Sequence, residues 1–196
     1  MTPAVILAVA VWMYLLHVLN RARLPFWHFL VGSTGLFIAL MFLLQPILTM
    51  PMARLVSALA GIVGTLTGSF AAYFKYGILF IEVAEGSLTL QVDFECSGII
   101  EIFAYLSLLA FFPVYKRHEK FVVGVVGTAY IVVCNAVRVT LICLAAHIWG
   151  AGVYYVMHTF VGRIFFYAMS ILLYFYVFTK PQVVQIKVGS FTYGHH

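Results

Sequence analysis

A thiol, a guanidinium and an imidazole, those of Cys96, Arg138 and His158, stand at or within the ends of long apolar stretches in a chain with few charges. Acyl transfer through a thioester needs three such parts: an activated thiol, a group to move its proton, and positive charge where negative charge develops. Each residue also has a plainer explanation. A cysteine in an apolar chain is ordinarily a small hydrophobe, which suffices for Cys134 and Cys143. A histidine near a membrane boundary is ordinarily just solvated, which suffices for His17, His28, His118 and His147. An arginine within an apolar stretch is costly and marks either function or an ion pair that holds the bundle, here with Glu101. Cys96 differs from the other cysteines in setting. It joins the polar Asp93-Phe-Glu-Cys to an apolar stretch beginning at Ser97-Gly98. Free N–H groups and the positive dipole end of a helix starting there favour a thiolate, and so a pKa below the free-thiol value of about 8.5. Glu95 opposes that effect and Arg138 compensates. Asn135, one turn before Arg138, is placed to orient the guanidinium, and Arg163 and Glu101 are expected to form a supporting ion pair.

The elements that must position these groups follow from composition. Of 196 residues, 64% belong to the set AVILMFWYC and 9% are charged, against about 45–50% apolar and about 25% charged in soluble domains. A soluble fold is excluded, and the mean hydropathy of +1.07 agrees. Uncharged runs cover residues 1–20, 24–53, 55–74, 121–137, 139–162 and 164–179, most of them near the ~20 residues that a membrane-spanning helix needs. At 21.9 kDa the chain suits a single membrane domain, residues 1–196. The net charge of +5 is the balance of 11 Lys and Arg against 6 Asp and Glu, and all the basic residues except Arg138 and Arg163 sit in short loops. It carries topology rather than nucleic-acid binding. The three cysteines form no CxxC pair, so neither a disulfide framework nor a zinc site is indicated, and no metal or cofactor is expected. The apolar run 3–19 is followed, not preceded, by Arg21 and Arg23, which predicts a retained span rather than a signal peptide.

The pattern predicts an all-α membrane protein with spans at about 3–19, 26–48, 97–115, 121–144 and 159–178. Between the second and third, Leu55, Leu59, Ile62, Leu66 and Phe70 form an apolar stripe opposite Ser57, Gly61, Gly64 and Gly68. This predicts an interfacial amphipathic helix over 53–74, or a sixth transmembrane helix if 55–74 crosses the bilayer. Residues 78–95 alternate and hold four of the six acidic residues, as expected of a β-hairpin outside the hydrocarbon. With Arg21, Arg23, Lys116, Arg117, Lys120, Lys180 and Lys187 facing the cytoplasm, the hairpin lies outside. Cys96 then sits at the outer boundary. Arg138, 17 residues beyond Phe121, lies roughly 26 Å from the inner boundary. His158 opens the final span, with Arg163 roughly 24 Å above Thr179. Three successive helices thus present a thiol, a guanidinium and an imidazole at one depth.

The segments Phe94-Glu-Cys-Ser-Gly-Ile-Ile-Glu, Asn135-Ala-Val-Arg-Val and His158-Thr-Phe-Val-Gly-Arg resemble, in order, spacing and context, the exosortase/archaeosortase family of membrane-embedded cysteine transpeptidases. The resemblance covers roughly residues 50–178, and the short chain is similar to the compact exosortase G subgroup. It implies Cys96 as nucleophile, His158 as general acid/base and Arg138 as the group steadying oxyanion or thiolate, with Asn135, Glu101, Arg163, Glu95 and Ser97 in support. It further implies a multi-pass protein of the cell membrane with its site on the extracytoplasmic side. Its partners would be the bilayer and exported, membrane-anchored proteins bearing a C-terminal sorting signal, cleaved through a Cys96 thioester and passed to an acceptor. Many relatives carry Leu-Arg-Ser after Cys-Ser-Gly, whereas Ile99-Ile-Glu101 stands here. The main rival is a non-enzymatic transporter or an assembly subunit of the export machinery, in which Arg138, Glu101 and Arg163 line a polar path. A thiol-redox protein would need a resolving cysteine beside Cys96, and a b-type haem protein would need facing histidines inside the bundle.

Overall fold

A computed structural model describes residues 3–83 and 86–183. Helix α1 (Pro3–Arg21) turns into α2 (Pro25–Thr67), followed by strands β1 (Phe70–Tyr73), β2 (Ile78–Val83) and β3 (Gly86–Gln91). Helices α3 (Ile99–Phe111), α4 (Arg117–Trp149), α5 (Ala151–Val156) and α6 (Gly162–Tyr174) complete the bundle. Among the described residues, three helical runs are long and apolar enough to cross a bilayer: Pro25–Thr67, Arg117–Trp149 and Ala151–Val183. Val5–Arg21 and Ile99–Phe111 are shorter apolar helices. This is an all-α membrane protein with one small sheet.

Helix α2 differs most from expectation. Its 43 residues rise ~64 Å, about twice the ~30 Å of hydrocarbon. It contains both the expected span 26–48 and most of the 53–74 stretch. Pro25 begins it, where a missing N–H costs nothing. Pro46 and Pro51 remain inside it, each deleting one backbone hydrogen bond. The helix stops at Thr67 because Gly68 turns left-handed, at φ 67°. Residues 70–73 are therefore a strand, where the periodicity predicts helix. The second half of α2 packs through its small residues, with Ala53, Ser57, Ala60, Gly61 and Gly64 buried. The apolar stripe Leu55, Ile62 and Leu66 is exposed. A Cβ at Gly61 would run into Ala72, and one at Gly64 into Phe70. The sheet approaches closely only because those side chains are absent.

The sheet has antiparallel order β1-β2-β3, with Phe70 opposite Ile81 and Ile81 opposite Leu88. The expected hairpin is its β2–β3 portion. Leu79, Ile81 and Leu90 point inward and join Val56, Ala60 and the α4 residues Val139, Ile142, Cys143 and Ala146 in one core, which includes Cys96. A second core lies within the bundle, formed by Ile99, Ile102, Phe103, Tyr105 and Leu109 of α3, Ile131 and Val132 of α4, and Phe166 of α6.

Helix α3 spans 13 residues, shorter than the expected 97–115. Pro113 holds Phe112 extended and ends it. Helix α4 outruns 121–144 at both ends. It starts where the Lys116 N–H donates to Glu119 Oε2 (2.8 Å) and stops at Gly150, φ 83°. The last run starts at Ala151 rather than at Thr159. Phe29 packs on Phe112, Phe112 on Phe178, and Tyr115 donates to the Val177 carbonyl at 2.7 Å. Arg21, Arg23, Lys116, Arg117, Lys120 and Lys180 consequently gather at the end of the bundle opposite Cys96.

Tyr105 ties α3 to α4: it is fully buried and its hydroxyl donates to the Val123 carbonyl at 2.8 Å. A Cβ at Gly127 would collide with its ring. Tyr105→Phe is expected to cost about 1 kcal/mol and Gly127→Val about 1–3 kcal/mol through overpacking. Unfolding in detergent measures both, and an unchanged midpoint for Gly127→Val would remove the ring from that seat.

Candidate active site

The turn that carries Cys96 is fixed from within and from outside. The Cys96 N–H donates to Asp93 Oδ1 (3.0 Å), and the Ser97 hydroxyl donates to the Phe94 carbonyl (2.9 Å). Gly98 then adopts φ 76° and opens α3. From α4, Asn135 Nδ2 donates to the Cys96 carbonyl at 2.6 Å. Asn135 is fully buried. Sequence reasoning expects it to orient Arg138, but its short amide reaches only the facing turn and so positions the cysteine backbone.

One turn further along α4, Arg138 is 5% exposed. Its guanidinium lies over the Phe166 ring, 5.6 Å from the centroid, and its Nη2 is 3.8 Å from Cys96 Sγ. Its Nε has no partner. His158 approaches the sulfur from the other side, with Nε2 at 3.9 Å from Sγ. It stands inside the last helical run, in a π-turn over Met157–Val161 where the Gly162 N–H reaches back to the Met157 carbonyl. The expectation that His158 opens this helix is thereby corrected. Tyr154 stacks on the imidazole, with ring centroids 5.7 Å apart and planes at 21°.

A cavity of about 220 Å³ adjoins the sulfur, walled by Cys96, Glu95, Glu101, Arg138, Arg163 and Tyr167. Glu101 Oε2 is buried there without a partner. Arg163 pairs with Glu95 (3.6 Å) rather than with Glu101 as expected, because both Arg163 and Glu95 are exposed at the rim. Ser97 is buried beneath the turn. Cys143 lies in the core that includes Cys96, Cys134 packs against the bundle core, and all three cysteines are free. His147 is bound rather than merely solvated: its Nδ1 lies 2.6 Å from the Glu82 carbonyl and joins α4 to β2.

Burial pushes the Cys96 thiol up to about 11, with Arg138 pulling it down and Asp93 and Glu95 pushing it further up. This reverses the expected lowering. Loss of water around the sulfur outweighs the cation beside it. The resting group is a thiol, and the arrangement can form a nucleophile only as a neighbour takes the proton. Imidazole is the neighbour in reach.

Sequence reasoning missed three contributors. Asp93, three residues before Cys96, carries the signature of a side-chain-capped turn. Tyr154, four residues before His158, carries helical i,i+4 spacing. Phe166 leaves no such sign, since its position under Arg138 depends on the π-turn.

In single-thiol protein, iodoacetamide labelling of Cys96 should rise with a midpoint above the ~8.5 of a free thiol. Arg138→Gln should move it higher and Asp93→Asn lower. A wild-type midpoint below about 8.5 would show that the cation and helix end outweigh burial.

Comparison with known proteins adds one finding. Residues 1–176 match the model of a protein family described as transmembrane exosortase. No curated protein and no solved structure matches. Family membership supports a membrane-embedded, transpeptidase-like role in general terms. With nearly its whole length matched, the chain belongs to the transmembrane exosortase family.

Proposed function

We propose that this protein is a cysteine transpeptidase that cleaves a C-terminal sorting signal from exported, membrane-anchored proteins, with Cys96 as nucleophile. One observation carries the proposal. A guanidinium and an imidazole from separate elements flank one sulfur, at 3.8 and 3.9 Å, beside a polar cavity.

As Cys96 Sγ attacks the scissile carbonyl, His158 Nε2 takes the thiol proton, and the Arg138 guanidinium stabilises the oxyanion. The intermediate collapses, the C–N bond breaks, and His158 passes its proton to the leaving amine. A thioester remains on Cys96. The acceptor then attacks the thioester carbonyl, its proton moves to His158, and the sulfur leaves and is reprotonated. Asn135 and Asp93 hold the cysteine backbone through both halves, and Tyr154 holds the imidazole plane.

The basic residues gathered at the opposite end face the cytoplasm by the positive-inside rule, so the site opens on the extracytoplasmic side. A conduit would place Arg138, Glu101 and Arg163 along a path through the bundle. Here all three border one cavity at the Cys96 end, which favours a site over a channel.

Cys96→Ala should abolish processing of a co-expressed sorting-signal protein while leaving the enzyme folded in detergent. Processing by that variant would overturn the proposal. Arg138→Lys should lose activity on the order of 10²–10³-fold, the scale of a lost oxyanion donor, because a point charge cannot reproduce the guanidinium fork. Near-normal turnover by the lysine variant would refute the oxyanion role.

A further inference from the structure

The cavity beside Cys96 lies between α3 and α6, next to the bundle core that Phe166 of α6 shares with Ile99, Ile102 and Phe103 of α3. Away from the site, α3 and the final helical run meet through Tyr105 against Tyr174 and Phe178, with centroids 6.3 and 6.0 Å apart, and through the Tyr115–Val177 hydrogen bond. Toward the site, one wall is Ile100 and Glu101 of α3, the other is Arg163 and Tyr167 of α6, and Arg138 of α4 closes the back. Arg163 and Glu95 bridge these walls at 3.6 Å, with side chains 46% and 68% exposed. An exposed ion pair is weakly held, so an entering chain displaces it cheaply.

Two features identify what enters. Glu101 and Arg138 line the cavity, and Glu101 Oε2 and Arg138 Nε are each buried and unpartnered. One is an acceptor and the other a donor, the complement of a peptide group, which offers an N–H and a carbonyl together. Outside it, Phe160, Ile164, Tyr167, Ile171 and Phe175 are exposed along one face of the last helical run, at spacings of three and four. Tyr167 belongs to both the cavity wall and this stripe. A polypeptide whose apolar helix lies along the stripe delivers its outer end into the cavity at Cys96.

We propose that the gap between α3 and α6 is the lateral entrance for the substrate chain and that the Arg163–Glu95 pair latches it. This rests on the transpeptidase reading for the identity of the substrate but not for its test, which needs no turnover. The probe is a synthetic Leu/Ala helix of about 20 residues with a bromoacetyl group at one end, added to proteoliposomes of a variant whose only thiol is Cys96.

The peptide should alkylate Cys96. Glu95→Gln and Arg163→Gln should each speed that reaction about threefold, the scale of one exposed ion pair. Exchanging the charges, Glu95→Arg with Arg163→Glu, should restore the original rate. The rate with small iodoacetamide, measured in all four proteins, reports that each is folded around the site and carries whatever the altered charges do to the thiol itself, so the peptide rates are compared after division by it. Iodoacetamide labelling without peptide labelling would overturn the entrance, and peptide labelling indifferent to the pair would overturn the latch. Failure of Cys96→Ala to stop processing would sink the transpeptidase reading and leave these rates untouched.

Discussion

A guanidinium kept from water with no carboxylate paired to it is the constraint around which this molecule is built. Such a charge is tolerated only where something else compensates it. Arg138 has the π-face of Phe166 on one side and the Cys96 sulfur on the other. Neither satisfies it fully, and its Nε stays free. The deficit has a direction, since any negative charge that forms near the sulfur is drawn to donors already in place. A site assembled this way has done its reorganising during folding rather than during reaction.

Keeping that arrangement requires a rigid enclosure beyond the reach of an ordinary membrane bundle. Helix α4 overshoots the hydrocarbon and carries its outer residues into a core shared with the sheet and the second half of α2. His147 fastens the same overhang to β2. Cys96 therefore sits at the seam of two cores, one wet-side and one within the bundle. The turn that holds it is pinned by Asp93 from its own strand side and by Asn135 from the helix behind.

Much of this was legible in the sequence. Composition and the uncharged runs disclose a helical membrane protein, and depth counting puts Cys96, Arg138 and His158 near one level. That counting succeeds although its boundaries are displaced. Helix α4 begins before Phe121 and the last run before Thr159, yet the depth of a residue depends on neighbouring helices rather than on where a helix frays into solvent. The second half of α2 was harder to read, because apolar periodicity marks a buried face in water and loses that meaning beside lipid, where small residues do the packing. The reversal at the Cys96 thiol had a similar origin. Local sequence displays the helix start and the nearby cation, whereas desolvation comes from burial in a core whose other members, among them Val139, Ile142 and Ala146, are distant along the chain.

The π-turn at His158 has a consequence for how this site can vary among relatives. One residue more than the α-period requires is stored between Met157 and Gly162, and each residue of helix turns a side chain by about 100°. Removing one of residues 159–161 would relax the turn to ordinary α-helix and re-aim the imidazole without changing any residue that touches the sulfur. A relative with a gap across this short stretch would have kept its motif but lost its alignment.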